Sequence, residues 1–132
     1  MKPRLHLVGI FHTQHTAAYS HCAFTGKALR FPKMMQGQGY TVIEYSNAGS
    51  ESSADEHVTM LDAAEFGALF QRSETDFHGN DATVGSAAHQ LFEQRLIPAL
   101  RERLQPQDIL CHPFGHAHQQ LMAEFPNHQH VE

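Results

Sequence analysis

Histidine is the residue type with the widest chemical reach in this chain: twelve of its 132 residues are histidine, against two cysteines and no tryptophan. Two segments gather histidines among other polar side chains. The first is His12-Thr13-Gln14-His15-Thr16, running on to Tyr19-Ser20-His21-Cys22. The second is His112-Pro113-Phe114-Gly115-His116-Ala117-His118. An imidazole can act as acid or base near neutral pH and can ligate a transition metal. Thr13, Thr16 and Ser20 add hydroxyl donors, Gln14 an amide, and Tyr19 a ring able to stack on a sugar or base. Backbone N–H groups at a helix start near Tyr19–Cys22 would face an anion.

A metal site is the competing chemistry. His112, His116 and His118, with His12 nearby, place imidazoles at i, i+4 and i+6. Pro113 and Gly115 interrupt any regular helix between His112 and His116, no acidic residue lies inside this group, and no HExxH motif occurs. No native metal is therefore expected. Plainer roles also compete: polar residues after strands often cap helices. Cys22 reads as an inert half-buried thiol, Cys111 as core, and Met34-Met35 as core packing.

The elements that must position these segments alternate. Residues 5–11 form an apolar run expected of a buried parallel strand. A helix is expected over residues 20–38, with Ala23, Phe24, Ala28, Phe31, Met34 and Met35 as its apolar stripe and Pro32 as a kink or restart. Gly37 and Gly39 end it before a second strand over residues 40–45. Residues 46–58 read as an exposed loop and 58–61 as a short third strand. Asp62 caps a helix to Phe70, with Glu65 completing a capping box. A polar loop over 72–83 leads to a long helix over 84–104. Residues 108–112 form the next strand, 116–124 a further helix and 128–131 a last strand. The order is that of a doubly wound, mostly parallel, Rossmann-like sheet in three layers, α/β/α. Parallel strands put both histidine segments at the same sheet edge.

Length and composition fit one globular domain. A net charge of −5 argues against a dedicated nucleic-acid backbone binder. Two distant cysteines suggest a reducing, cytoplasmic setting, and no apolar stretch is long enough to span a membrane.

The run from His12 to Lys27, followed by Arg30-Phe31-Pro32-Lys33-Met34-Met35, resembles the opening of a group of bacterial and phage GT-B glycosyltransferases, which carry a similar HTQxT…YSxCAFT pattern after their first strand. Asp108-Ile109-Leu110-Cys111-His112-Pro113-Phe114-Gly115 and the terminal His130-Val131-Glu132 also match that group. The likeness is dense over residues 1–45 and 108–132. It implies an N-terminal, acceptor-side domain that binds a small-molecule or glycan acceptor. The nucleotide-sugar donor sits on a C-terminal domain, absent here, and transfer usually needs no metal or other cofactor. It further implies that the chain alone is inactive. His12, Thr13, Gln14, Thr16, Tyr19 and Ser20 would bind substrate, and His112 or His116 would stand near the reacting sugar as acid/base or as a hydroxyl partner. A face left open by an absent second domain invites a homo-oligomer. Two other readings stand beside this one, a histidine-rich metal-binding or metallohydrolase domain and a non-catalytic binding module.

Overall fold

A computed structural model describes residues 2–70 and 84–132, apart from the side chains of His116 and Ala117. The loop expected over residues 72–83 lies outside the described residues.

Five strands build one sheet in the order β3-β2-β1-β4-β5, every neighbouring pair parallel. They are β1 (Leu5–Val8), β2 (Val42–Ser46), β3 (Glu56–Thr59), β4 (Ile109–Cys111) and β5 (Gln129–Val131). The expected doubly wound, Rossmann-like fold is the observed one. Strand side chains alternate between two cores, as the pleat requires. Leu5, Leu7, Val42 and Cys111 face α1 (Ala23–Gly37), whose Ala28, Phe31 and Met35 complete that layer. Val8, Ile43, Tyr45 and Leu110 face the other way. There they meet α2 (Ala63–Phe70), α3 (Ala87–Arg103) and α4 (Gln120–Glu124). In α3, Ala88, Phe92, Leu96 and Leu100 recur every fourth residue and are wholly buried. Each large side chain in that row contributes roughly 1.5–3 kcal/mol of burial.

Local chemistry explains most boundaries. Asp62 and Glu65 exchange bonds as a capping box, Glu65 N–H to Asp62 Oδ1 at 2.8 Å and Asp62 N–H to Glu65 Oε1 at 3.1 Å. Ser86 caps α3 by accepting from the His89 N–H. Gly39, at φ +91°, takes the left-handed turn that releases the chain from α1 into β2.

Four expectations need correction. Residues 46–58 are not all exposed loop: β2 includes Ser46, Asn47 and Ser52 are buried, and β3 begins at Glu56, two residues before the strand expected over 58–61. Helix α1 continues through Pro32 rather than restarting there, with Ala28, Phe31 and Met35 packed on the sheet to either side of it. Its buried face follows Thr25, Ala28 and Pro32, so Ala23, Phe24 and Met34 turn outward, Met34 being 63% exposed. The helix expected over 116–124 is a short 3₁₀ turn (Gly115–His118) followed by the brief α4.

Candidate functional site

Strands β1 and β4 are neighbours whose following connections leave toward opposite faces of the sheet, and such a switch point opens a crevice at the carboxyl edge. His12 and His112 both lie there, just beyond the ends of β1 and β4. The two segments pack on each other. The His12 ring stands edge-on to Phe114 at 5.6 Å, and Phe11 stacks on Phe114 at 6.3 Å. His118 Nε2–H donates to the Gly9 carbonyl at 3.1 Å. Gly9 leaves room for β2 and His15: a Cβ there would lie 2.5 Å from the Tyr45 carbonyl oxygen and 3.0 Å from His15 Cε1.

The first segment folds inward more than its composition suggests. Thr13 and Thr25 share a buried hydroxyl bond at 2.7 Å. Asn47 Nδ2 donates to the carbonyls of Phe11 and Thr13 at 2.9 and 3.0 Å. His15 Nε2 accepts the Ile10 N–H, so a neutral ring carries its proton on Nδ1, 3.2 Å from Glu44 Oε2 but out of line for a good hydrogen bond. Glu44 is fully buried and accepts from the Ser46 and Ser52 hydroxyls. Burial pushes its carboxyl up, yet the close approach of His15 together with the Ser46 and Ser50 hydroxyls outweighs that and holds it at about 2.

Of the residues expected to bind substrate, His12, Thr13 and Tyr19 are therefore buried, Tyr19 edge-on to Phe66 at 6.3 Å. Gln14 and Thr16 are half-buried, and Gln14 Nε2 donates to the Ala48 carbonyl at 3.0 Å. Ser20 is exposed, its hydroxyl donating to Ala17 O at 2.7 Å. An anion does meet the helical turn here, but it belongs to the chain: Glu51 Oε1 accepts the Ala17 N–H at 2.6 Å.

The second segment divides. His112, buried, pairs with His130 at 3.0 Å, and His130 Nε2–H donates to the Phe125 carbonyl at 2.9 Å. His130 Nδ1 is then the acceptor and His112 Nε2–H the donor. Burial, then the positive potential of His130 and His118, lowers His112 to about 4, so it is neutral at pH 7. His116 belongs to the 3₁₀ turn, and its side chain lies outside the described residues. His118 points the other way, into a pairing with Glu93 of α3, and His89 Nε2 lies 3.5 Å from the same Glu93 oxygen. The set of His112, His116, His118 and His12 expected for a metal is thus not assembled among the described side chains. The segment itself holds no acidic residue, but the fold brings Glu93 of α3 beside His118.

No family model, curated protein or solved structure matches this chain. Its site must be read from its own geometry.

Sequence reasoning missed His89 and Glu93. Their spacing of four on one helix face was a usable signal, since such side chains are neighbours. Glu93 adjoins the apolar row of Ala88, Phe92 and Leu96, where an ionised group is out of place without a pairing. Both residues line an open cleft of about 550 Å³ together with Gly85, Gln90, Gln94 and Gln119. On the α1 side a smaller hollow of about 90 Å³ touches His112, Lys27 and Glu132.

Proposed function

We propose that this chain is the N-terminal, acceptor-side domain of a GT-B type glycosyltransferase. One observation carries the reading: the two sequence-distant segments that resemble that group, around His12–Lys27 and Asp108–Gly115, fold against each other at the switch point of a Rossmann-type sheet. Ligands of open α/β sheets sit at such a place. Glycosyl transfer builds positive charge on the sugar and expels a diphosphate, so the site must serve both with oriented polar groups. Ser20, Thr16 and Gln14 form the accessible rim and would meet acceptor hydroxyls. His112 stays neutral, gives its Nε2–H to His130 and is reachable only from the small hollow it lines on the α1 side, where it would bond a sugar hydroxyl rather than neutralise a phosphate, and His116 is the alternative acid/base group on the next turn. His12, Thr13 and Tyr19 hold the loop behind that rim. The nucleotide-sugar would be bound by a second α/β domain, with transfer in the cleft between the two. Free, buried Cys22 and Cys111 suit a reducing cytoplasm, and no helix among the described residues is long and apolar enough to cross a membrane.

The test is an NMR titration of the chain with oligosaccharides and with common nucleotide-sugars. Glycans are expected to shift the amides of Thr16 and Ser20, with nucleotide-sugars binding weakly and no transfer detected. Submicromolar nucleotide-sugar binding would put the donor site in this half and overturn the reading.

A further inference from the structure

We infer that His89, Glu93 and His118 form a three-ligand site for a divalent transition-metal ion, with zinc as the reference ion. This stands apart from the glycosyltransferase reading, because it uses none of the residues assigned there.

His118 is the most constrained of the three. Its Nε2–H is committed to the Gly9 carbonyl, so in the neutral ring Nδ1 is a lone pair. That lone pair faces Glu93 Oε1 at very close range. Two lone pairs cannot share such a contact, so a proton, on the ring or on the carboxyl, or a metal must lie between them. An imidazole whose far N–H is held by a backbone carbonyl is the usual arrangement of a metal-ligating histidine. Glu93 supplies the second sign. It is buried, and its Oε2 makes no hydrogen bond among the described residues. A buried carboxylate oxygen without a donor among the described residues is costly in a folded protein and calls for a water or an ion.

His89 completes the set from one turn earlier on α3. One ligand atom from each residue lies within 4.8 Å of the others. Zinc bonds of roughly 2.0–2.2 Å require donor atoms to close to about 3.4 Å. Coordination would require the His118–Glu93 contact to open and His89 to move in. His89 Nδ1 now accepts the Gly85 N–H at 2.8 Å, so ligation through Nε2 shifts the ring proton and releases that N–H. The bond given up is exposed, and water can replace it. Two imidazoles and one carboxylate suit zinc and its neighbours rather than magnesium or calcium, which prefer oxygen ligands. His89 and Glu93 line the 550 Å³ cleft, so a fourth coordination position faces it, open to water or a ligand oxygen.

The experiment is a calorimetric titration of the metal-free 132-residue chain with zinc chloride at neutral pH, with circular dichroism confirming the fold of each variant. One equivalent is expected to bind in the micromolar range or tighter, with magnesium chloride giving no heat. Glu93→Gln, nearly isosteric, should weaken binding by about tenfold or more, and His118→Ala should abolish it. His130→Ala, which breaks the other imidazole pair, should leave it unchanged. Should His118→Ala fail to fold, His89→Gln on the cleft wall takes its place with the same expected loss. Zinc binding that survives Glu93→Gln, or that disappears in His130→Ala, overturns the site. So does the absence of zinc binding, which would mean that a proton alone joins His118 to Glu93.

Discussion

The two edges of the sheet both bury histidine against a carboxylate, and they do so with opposite outcomes. At the amino edge Asp108 accepts from Arg4 Nε and Nη2 at 3.2 and 2.9 Å, from the Gln105 N–H at 3.0 Å, and from His6 Nε2–H at 2.7 Å. The other nitrogen of His6 accepts the Tyr45 hydroxyl at 2.6 Å, so one tautomer satisfies the whole network. At the carboxyl edge the accounts stay open. Glu93 Oε2 and Asn47 Oδ1 are buried without a hydrogen bond among the described residues, and His15 Nδ1 meets Glu44 off-axis. A closed network ties strands together. An open one keeps bonding capacity for something else, and folded proteins keep few such groups without a reason.

The largest effect is expected at the closed edge. Asp108→Ala would leave His6 buried without its acceptor and free Arg4 from the start of β4. Removing one member of a buried charged network costs about 3–5 kcal/mol. Urea denaturation should register this as a lowered midpoint with an unchanged slope. A loss below about 1 kcal/mol, the range of an exposed pair, would erase the contrast between the edges.

A somewhat smaller effect is expected on the open side, in acid. Glu44 falls from 4.5 when free to about 2 when folded. The folded chain then binds fewer protons than the unfolded chain between those values. Its stabilisation is complete above 4.5 and is lost as pH falls through about 2, a span on the order of 3 kcal/mol. Asp108 is lowered as well and has the same sign, so the comparison must be with Glu44→Gln. The variant should show a flatter decline of stability in acid. Parallel curves would mean that His15 and the serine hydroxyls do not hold the charged form.

The fold was legible because its signals are local. The capping box at Asp62 and Glu65, the four-residue row in α3 and the apolar run of β1 each name an element without knowledge of its neighbours. Where the apolar stripe of α1 was drawn too wide, the error was one of helix phase: Phe24 borders the face that Ala28 and Pro32 centre, and Met34 lies nearly opposite it. The site was less legible because its pairs are distant in sequence. His118 finds Glu93 across 25 residues and Gly9 across 109, and no spacing rule reaches that far. The polar character of His12-Thr13-Gln14-His15-Thr16 marked the right edge. It could not show that Thr13 would turn inward to Thr25, leaving Ser20 and the half-buried Gln14 and Thr16 as the accessible rim.

Ser20 gives the smallest change in stability and the sharpest separation of the two edges. Its hydroxyl is exposed and donates to the Ala17 carbonyl within its own turn. Exposed substitutions of this kind usually move stability by no more than about 0.5 kcal/mol, so Ser20→Ala should unfold with the parent chain. A hydroxyl at the rim that meets an acceptor sugar has a second role that the unfolding curve does not see. Losing one such hydrogen bond on binding costs about 0.5–1.5 kcal/mol, or roughly a two- to tenfold weaker glycan affinity. Saturation-transfer NMR on both proteins measures this directly. Unchanged affinity with unchanged stability would remove Ser20 from the acceptor surface. Reduced stability would make the rim another part of the scaffold, and among the described residues the contrast with the amino edge would then rest on Glu93, Asn47 and His15.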